Sequence, residues 1–569
     1  MHVGVVGSGP AADAARAAFE DIDATVSTEE SALSTVALGV VVAPTGSAQF
    51  DRADDRCDRL VTCEVGGIGG HVVDAVDAAV SVFGPDSARF GDLRRRVAST
   101  TEINDRKPSG DRSAVRFAGA VAGRRAVRFL TGEPLGGTVV EVPGEERQFL
   151  PTPDERRDRR LDRSWRSVPL DDALDRAERA FDERVGILTQ VGERESFPVP
   201  YYLAGTADTT EYSDVRAAQF AAGADPDWDR AFMKALGEGL ERYCAGVYRQ
   251  SEFLTSSVTN RANPVSPSRF ARPDSYRAAD REEPIPWVDG EDLSTGEDVS
   301  LPAEFVHYPP PQERHKPAIT TGLGLGSSGT EALLSGLYEV IERDATMLAW
   351  YSTFEPLALD IDDGRFETRR KRARAEELDV TALLVTQDVD VPVVAVAVHR
   401  DAAHDDDDAW PRFAMGSGAD LDPVAAAQAG LEEALQNWME LRSMGPEQAA
   451  DEKAAIGDYA SFPPLAREFV DVDADATVPA ETVGPASVPD GEDELDAVVD
   501  RVDAAGLDAY AASTTTSDVA SLGFEAVRVV IPEAQPLFTG EPFFAERAEA
   551  VPRDLGFEPQ LDREYHPYP

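Results

Sequence analysis

A seven-residue pattern, in which two apolar residues four positions apart frame polar side chains, occurs three times in the chain. The copies are Leu236–Arg242, Leu337–Arg343 and Leu431–Asn437. Residues four apart lie on one face of a helix, so each copy predicts an amphipathic helix with an apolar face and a polar pair at i,i+3 on the other side. The polar pairs are Glu238 with Glu241, Glu339 with Glu342, and Glu433 with Gln436.

Two interpretations of these polar pairs are open. Each pair can be the solvated face of a very acidic protein, with Glu238 to Arg242 and Glu339 to Arg343 as ordinary i,i+4 ion pairs. Alternatively, the three helices bring their carboxylates together around a cation, because gathered carboxylates otherwise repel one another. Three copies with the same apolar backing favour the second interpretation. Hard oxygen ligands suit Mg²⁺, which is often bound together with substrate phosphates.

The charge balance excludes one class of function. The net charge is −50 at pH 7, so a nucleic-acid binder that works by diffuse electrostatics is excluded, because the phosphate backbone would be repelled. The chain has five lysines and 50 arginines. We interpret its acidic, lysine-poor composition as adaptation to a salt-rich, haloarchaeal cytoplasm. The sequence has no signal peptide and no apolar run of roughly 18 residues, so we expect a soluble, cytoplasmic protein without a membrane segment.

The first part of the chain predicts a Rossmann-like domain. A buried strand at His2–Val6 turns through Gly7–Pro10 into an alanine-rich helix at Ala11–Glu20. Further strands are predicted at Leu38–Val42 and Leu60–Val65. The acidic residue that would hold a ribose after the second strand is not evident, so we expect a nucleotide-binding fold that serves as a scaffold without bound nucleotide.

A change of composition predicts the border between two domains. Residues 100–166 are rich in Arg, Gly and Pro, which is typical of a linker. We therefore predict a first domain at residues 1–165 and a larger second domain at residues 166–569, of α/β (α+β) class. The second domain is predicted to open with an amphipathic helix at Leu170–Val185. Its central feature is a flexible glycine loop, Gly322–Gly329, followed by a helix that Thr330 caps.

Three long segments carry a resemblance to a known family. They are RAFMKALGEGLERY, TTGLGLGSSGTEALLSGLYEVIERDA and GSGADLDPVAAAQAGLEEALQNW. From about Ser167 onward the chain resembles the YcaO family, which binds ATP and Mg²⁺ with acidic residues on three helices. The chain contains no P-loop. The resemblance implies that Glu238, Glu241, Glu339, Glu342 and Glu433 hold Mg²⁺ and the triphosphate, that Gln436 adds a neutral contact, and that Arg343 balances charge.

Two departures from the family pattern concern further site residues. Relatives carry a Gly-Lys-Gly loop before the first acidic helix; this chain has Ala221–Gly223 there and Lys234 inside the helix. Lys234 lies one turn before Glu238, so it is predicted to reach either Glu238 or a phosphate. Azoline-forming relatives end in Pro-x-Pro-x-Pro, and this chain ends in Tyr565–Pro569 with the last two prolines kept. The Pro569 carboxylate is a candidate catalytic proton acceptor; the alternative is a surface tail without a role.

The first 165 residues resemble the ubiquitin-activating-enzyme-like domain that accompanies YcaO domains and grips a leader peptide. The matching pieces are MHVGVVGSGPAADAA, VGGIGGHVVDAV and GPDSARFGDLRRRVAST. That domain often carries structural zinc on cysteine pairs. Here the only cysteines are Cys57, Cys63 and Cys244, so we expect zinc to be absent.

The resemblance implies an enzyme that uses ATP and Mg²⁺ to phosphorylate a backbone amide oxygen of a peptide or protein. Attack by a Cys, Ser or Thr side chain then gives an azoline, and attack by sulfide gives a thioamide. The alternative is a non-catalytic YcaO-like accessory protein that assists a partner such as a ribosomal-protein methylthiotransferase. Expected partners are the peptide or protein substrate, a sulfur-mobilising or dehydrogenase protein, and a second copy in a homodimer.

Overall fold

A computed structural model describes residues 1–20, 22–103, 106–153, 160–400, 410–451, 456–472 and 477–569. The chain forms two compact units. The first comprises Met1–Glu155, Asp175–Gln190 and Gly205–Gln219, and the second comprises Arg156–Leu174, Val191–Ala204 and Phe220–Pro569. The arginine-rich end of the predicted linker, residues 154–159, lies outside the described residues. The domain border at residue 165 stays a prediction.

The first unit contains a seven-stranded mixed sheet with helices packed on it. Its elements are β1 (His2–Val6), α1 (Pro10–Ala17), β2 (Thr25–Ser27), β3 (Leu38–Pro44), α2 (Gln49–Asp54), β4 (Leu60–Val65), β5 (Ala78–Phe83), α3 (Phe90–Ala98), α4 (Arg112–Leu130), β6 (Thr138–Val142) and β7 (Glu146–Gln148). The strand order is β2-β1-β3-β4-β5-β6-β7, parallel from β2 to β4 and antiparallel from β4 to β7. The three predicted strands are confirmed; the predicted first helix ends three residues earlier, at Ala17.

Small residues allow two helices of this unit, α1 and α4, to pack closely against each other. A Cβ atom on Gly119 would lie 2.1 Å from the carbonyl oxygen of Ala11, and one on Gly123 would lie 2.6 Å from Cβ of Ala18. In the turn after β1, Arg16 donates a hydrogen bond of 2.6 Å to the carbonyl oxygen of Gly7. The arginine that follows the glycine turn is therefore bonded to the turn itself.

Four elements follow before the main part of the second unit: α5 (Leu170–Ala177), β8 (Leu188–Glu195), β9 (Tyr201–Thr206) and β10 (Phe220–Ala224). The helix predicted at Leu170–Val185 is too long. It ends at Ala177 and continues only as a short 3₁₀ turn to Ala180. Asp182 accepts hydrogen bonds from the amides of Arg184 and Val185, at 2.7 and 2.9 Å. An aspartate that bonds the backbone locally in this way competes with helix formation.

Two sheets form the framework of the second unit. Its remaining elements are α6 (Trp228–Gly246), β11 (Leu254–Ser256), β12 (Ile285–Asp292), β13 (Asp298–Pro302), α7 (Ala303–Val306), β14 (Leu323–Gly326), α8 (Gly329–Trp350), β15 (Leu357–Asp360), α9 (Gly364–Ala375), β16 (Asp379–Leu384), β17 (Val393–His399), β18 (Phe413–Ala419), α10 (Pro423–Ala449), α11 (Ile456–Tyr459), α12 (Pro464–Val470), β19 (Thr477–Pro479), α13 (Glu492–Ala504), β20 (Tyr510–Ser513), α14 (Ser517–Ser521), β21 (Glu525–Val530) and α15 (Arg547–Leu555). One sheet has the order β11-β12-β20-β21-β14, with β13 beside β12. The other has the order β18-β17-β16-β15-β19. The predicted α/β class with two architecturally different parts is confirmed.

The helix α8 lies at the centre of the second unit, in contact with strands of both sheets. Its apolar face is buried as predicted: Leu337 is fully buried and Ile341 is 2% exposed. The glycine segment before it is not a flexible loop, because residues 323–326 form β14, paired with β21. A Cβ atom on Gly324 would lie 2.2 Å from the carbonyl oxygen of Ala332, so glycine allows the strand to approach the helix.

The N-cap of α8 also differs from the prediction. Ser328 caps the helix and accepts a hydrogen bond of 3.3 Å from the amide of Glu331. The predicted cap, Thr330, lies inside the first turn and donates to the carbonyl oxygen of Arg163 at 2.6 Å. Both residue types cap helices well, so local sequence alone does not separate them.

All three cysteines are buried, and none of them is part of a disulfide. Burial raises the pKa of the Cys57 thiol to about 11 and that of Cys63 to about 12, so both stay protonated at neutral pH. The absence of zinc stays a prediction. In the described part of the chain, no helix is both long enough and apolar enough to cross a membrane.

Candidate functional site

The first acidic helix, α6, holds its two glutamates with a shared arginine. Glu238 accepts a hydrogen bond of 3.0 Å from Arg242 and one of 2.8 Å from the amide of Ala222. Glu241 lies 3.2 Å from the other terminal nitrogen of Arg242. The ion pair predicted between Glu238 and Arg242 is present, and the same guanidinium also faces the second carboxylate.

The second and third acidic helices, α8 and α10, are joined through their polar side chains. Arg343 on α8 lies 3.3 Å from Glu342 and donates a hydrogen bond of 3.1 Å to Glu433 on α10. Ser417 on β18 completes the link: its hydroxyl donates to Glu342 at 2.6 Å and its amide donates to Glu433 at 2.7 Å. Within the described residues, no ion pair joins Glu339 to Arg343 as the i,i+4 interpretation predicted; Glu339 accepts a hydrogen bond of 3.0 Å from the amide of Gly322.

The last predicted site residue, Gln436, belongs to a hydrogen-bonded group with Glu440 and Tyr201. Its amide nitrogen donates to Glu440 at 3.1 Å, and the same carboxylate oxygen accepts from the hydroxyl of Tyr201 at 2.7 Å. Burial raises the pKa of Glu440, with smaller contributions from the charges of Glu238 and Glu433. Gln436 is therefore linked through Glu440 to the charges of Glu238 and Glu433.

The pKa shifts of two carboxyls indicate that the charges of the acidic side chains on the three helices act on one another. Burial raises the pKa of Glu241 to about 7, and the nearby charges of Glu339 and Glu238 act in the same direction. Burial likewise raises the pKa of Glu342 to about 7, and the charges of Glu433 and Glu339 add to the effect. The side chains of Glu241 and Glu342 are only 14% and 12% exposed. The five glutamates thus form one electrostatically coupled group, called here the acidic cluster.

A cavity of about 570 Å³ adjoins the acidic cluster. Glu238 and Glu241 line it, as does Lys234. Four further polar residues line the same cavity: Arg230, Ser327, Glu331 and Ser335. The sequence patterns did not predict them as site residues. A signal for two of them exists, because Glu331, Ser335 and Glu339 follow one another at i,i+4 along α8 and so share one face of the helix.

A protein-family model matches residues 222–535, more than half of the chain: the YcaO cyclodehydratase family, described as ATP- and Mg²⁺-binding. The chain belongs to the YcaO family. All three acidic helices lie within the matched residues.

One relative and two solved structures are similar to the chain. An uncharacterized protein of Methanothermobacter thermautotrophicus is 28% identical over 228 residues, which is 39% of this chain and 57% of that protein. A heterocyclase solved in complex with substrate and cofactor has a TM-score of 0.73 at 18% identity, covering 98% of this chain and 83% of that one. YcaO from Methanopyrus kandleri, solved with AMPPCP and Mg²⁺, has a TM-score of 0.50 at 23% identity, covering 66% of this chain and 93% of that one. At these identities the solved structures establish the YcaO fold.

The donor chemistry of the acidic cluster fits Mg²⁺. Its oxygens are hard ligands, and two of its carboxyls carry raised pKa values that a nearby divalent cation would lower. Among the described residues, however, no group of three or more ligands is already arranged to hold a metal ion. Arg242, Arg343 and Ser417 contact four of the five carboxylates, namely those of Glu238, Glu241, Glu342 and Glu433.

The structure places Lys234 differently from the sequence prediction. Its ammonium lies 3.0 Å from Asp225 and forms a second ion pair with Glu432. Glu432 also accepts a hydrogen bond of 2.8 Å from Arg369. Within the described residues, no ion pair joins Lys234 to Glu238. The side chain is still 45% exposed and lines the cavity, so contact with a phosphate stays a prediction.

The C-terminus is not a surface tail. Tyr568 and His566 are fully buried, and the His566 ring bonds the carbonyl oxygen of Phe538 at 2.8 Å. Burial lowers the pKa of His566 to about 4 and raises that of Tyr568. The charges of Arg343, Glu342 and Glu433 also act on the pKa of Tyr568. The last residues therefore pack beside the acidic cluster, although the role of the Pro569 carboxylate stays a prediction.

Proposed function

We propose that the chain is an ATP- and Mg²⁺-dependent cyclodehydratase that phosphorylates a backbone amide oxygen of a peptide and so forms an azoline. The observation that carries the proposal is the convergence of five glutamates from three helices in a member of a family described as ATP- and Mg²⁺-binding. The fold similarity to a heterocyclase supports it.

In this proposal, each part of the site has a physical task. The acidic cluster holds Mg²⁺ and the triphosphate, Gln436 adds a neutral contact, and Arg343 balances charge. Bound Mg²⁺ would neutralise the charge that develops on the transferred phosphoryl group and orient that group towards the accepting oxygen. Two of the carboxylates, Glu241 and Glu342, are largely buried, which limits the access of water to them.

The reaction balances as follows. The bond between the γ-phosphorus and its bridging oxygen breaks, and a bond to the amide oxygen forms. A Cys, Ser or Thr side chain of the substrate attacks the amide carbon and loses its proton. The original amide oxygen then leaves as phosphate, the nitrogen loses its proton, and the azoline ring remains. The Pro569 carboxylate, which follows the buried Tyr568, is proposed to accept the proton of the attacking group.

Product mass and ATP consumption together test the proposed function. The purified chain is incubated with Mg²⁺, ATP and peptides rich in cysteine, serine and threonine. We expect peptide-stimulated release of phosphate and a peptide mass lower by one water for each ring. Exchange of oxygen for sulfur when sulfide is supplied would assign thioamide formation instead. ATP turnover that no peptide stimulates would contradict the proposal and favour the accessory role.

Replacing Glu342 with glutamine is expected to stabilise the unliganded protein at pH 8. The pKa of Glu342 is raised from 4.5 to about 7 in the folded protein, mainly by burial, so the folded state favours the protonated carboxyl. The stability that this preference contributes is present below about pH 4.5 and is lost as the pH rises through 7. Glutamine cannot ionise, so we expect a gain of about 1–3 kcal/mol at pH 8 and a much smaller change near pH 5.

Urea denaturation at both pH values, without Mg²⁺ or nucleotide, measures this effect. Glu549→Gln is the matched control, because that side chain is 53% exposed on α15. A Glu342→Gln protein no more stable than the wild type at pH 8 would show that the folded state does not disfavour the ionised carboxylate.

A further inference from the structure

A small cavity in the second unit is lined by three cationic side chains. Lys316, Arg343 and Arg528 border a space of about 50 Å³. The rest of the lining is apolar, apart from a hydroxyl and an amide, and among the described residues no aspartate or glutamate lines it. The chain has 105 acidic residues and 55 basic ones, so three cations around one cavity without a carboxylate run against its composition.

Among the residues that the structure describes, none is a counter-ion in direct contact with Lys316. Its ammonium lies over the rings of Phe270 and Phe305, 5.6 and 5.5 Å from their centres, and in the described part of the chain it forms no hydrogen bond or ion pair. Burial, and then the charge of Arg528, lower the pKa of Lys316 to about 8. Glu304 acts in the opposite direction, but His315 already bonds that carboxylate at 2.7 Å.

Arg528 is held by neutral groups. It is 4% exposed and donates to the carbonyl oxygens of Thr320 and Ile319, at 3.1 and 2.9 Å. Its Nε atom is buried without a hydrogen-bond partner among the described residues. Burial lowers the pKa of Arg528 to about 10, although the charges of Glu339 and Glu241 act against this. A buried cation whose hydrogen bonds are incomplete gains free energy when an anion binds beside it.

Arg343 connects this cavity to the acidic cluster. It borders the cavity and also contacts Glu342 and Glu433. An anion in the cavity would therefore share a guanidinium with the carboxylates that are proposed to hold the triphosphate. Three cations suit a doubly charged, tetrahedral oxyanion better than a single carboxylate, since each cation can approach a different oxygen.

We propose that Lys316, Arg343 and Arg528 form a binding site for the phosphate ion that the reaction releases. The inference rests on the proposed function, since that reaction generates phosphate next to Arg343. In this site the leaving phosphate is stabilised as its bond to the amide carbon breaks, before it reaches solvent.

Phosphate titration by calorimetry tests the site on the full chain, at constant ionic strength in KCl and with saturating Mg²⁺ and ADP. We expect saturable phosphate binding to the wild type and at least roughly tenfold weaker binding to Lys316→Met. The affinity for Mg²⁺ and ADP should stay within about threefold of the wild type. Lys371→Met is the matched control, because that side chain is 70% exposed, and it should bind phosphate as the wild type does. Lys316→Arg keeps the charge and should retain phosphate binding.

The results that overturn the inference are distinct from those that overturn the proposed function. If the wild type binds Mg²⁺ and ADP but shows no saturable phosphate binding, the cavity is not a phosphate site. This result is obtained from the wild-type protein alone. Equal weakening of phosphate and ADP in Lys316→Met would assign the cavity to the phosphates of the nucleotide and overturn the inference. If the wild type binds no Mg²⁺ and nucleotide at all, the proposed function itself fails.

Discussion

Replacing Arg343 with glutamine is expected to lower the free energy of unfolding of the unliganded protein by about 3–5 kcal/mol. Arg343 is 12% exposed and is the cation that pairs with both Glu342 and Glu433. Without it, Glu342 and Glu433, whose side chains are 12% and 27% exposed, keep their contacts with Ser417 but lose the cation between them. Removing one partner of a buried ion pair is costly because the remaining charge stays uncompensated.

A second expectation applies to Arg343 alone, because Arg343 contacts the acidic cluster. Mg²⁺ alone should recover part of the lost stability in Arg343→Gln, because a divalent cation can replace the missing charge. Arg547→Gln is the matched control: Arg547 is 11% exposed and pairs with the buried Asp344 and with Asp388. That variant should lose stability without recovery by Mg²⁺. Urea denaturation with and without Mg²⁺ measures the free energy of unfolding of both variants. An equal gain of stability from Mg²⁺ in the two variants would contradict a cation site at the acidic cluster.

Deleting residues 567–569 is expected to destabilise the protein by about 3–5 kcal/mol, because the deletion removes the fully buried Tyr568 from the core. Tyr568→Phe is the matched variant. The hydroxyl of Tyr568 is buried without a hydrogen-bond partner among the described residues, so its loss should change stability by less than about 1 kcal/mol. Thermal denaturation measures the difference, and a deletion as stable as the wild type would contradict the packing of the tail.

The same region tests the proposed proton acceptor. A Gly-Ser extension after Pro569 moves the terminal carboxylate away while keeping Tyr568 in the chain. If the carboxylate accepts a proton in the reaction, peptide-dependent turnover should fall by at least roughly tenfold, about 1.4 kcal/mol in the barrier, with nucleotide binding retained. Unchanged turnover in a folded, extended protein would remove Pro569 from the mechanism.

Local sequence periodicity predicted the elements that carry the site, because the signal is contained in one helix at a time. The three apolar faces are buried, and the polar residues lie on α6, α8 and α10. What periodicity could not predict are the contacts between elements. Ser417 bridges Glu342 and Glu433 from β18, and Lys234 pairs with Glu432, 198 residues away in the chain.

Two further differences have the same physical origin. The glycines of β14 suggested a flexible loop, but their lack of side chains lets the strand pack against α8, which depends on tertiary contacts. The terminal residues suggested a frayed tail, but Tyr568 fills a place in the core around α8. In both cases the local propensity was overridden by packing against a distant element.

The binding of a non-hydrolysable ATP analogue with Mg²⁺ tests most directly whether the acidic cluster holds the nucleotide. Calorimetry compares the wild type, Glu339→Gln and the exposed control Glu549→Gln in high KCl. We predict saturable, Mg²⁺-dependent binding to the wild type and the control, and binding at least roughly tenfold weaker to Glu339→Gln. Equal affinity of all three proteins, or no binding to the wild type at saturating Mg²⁺, would contradict the account.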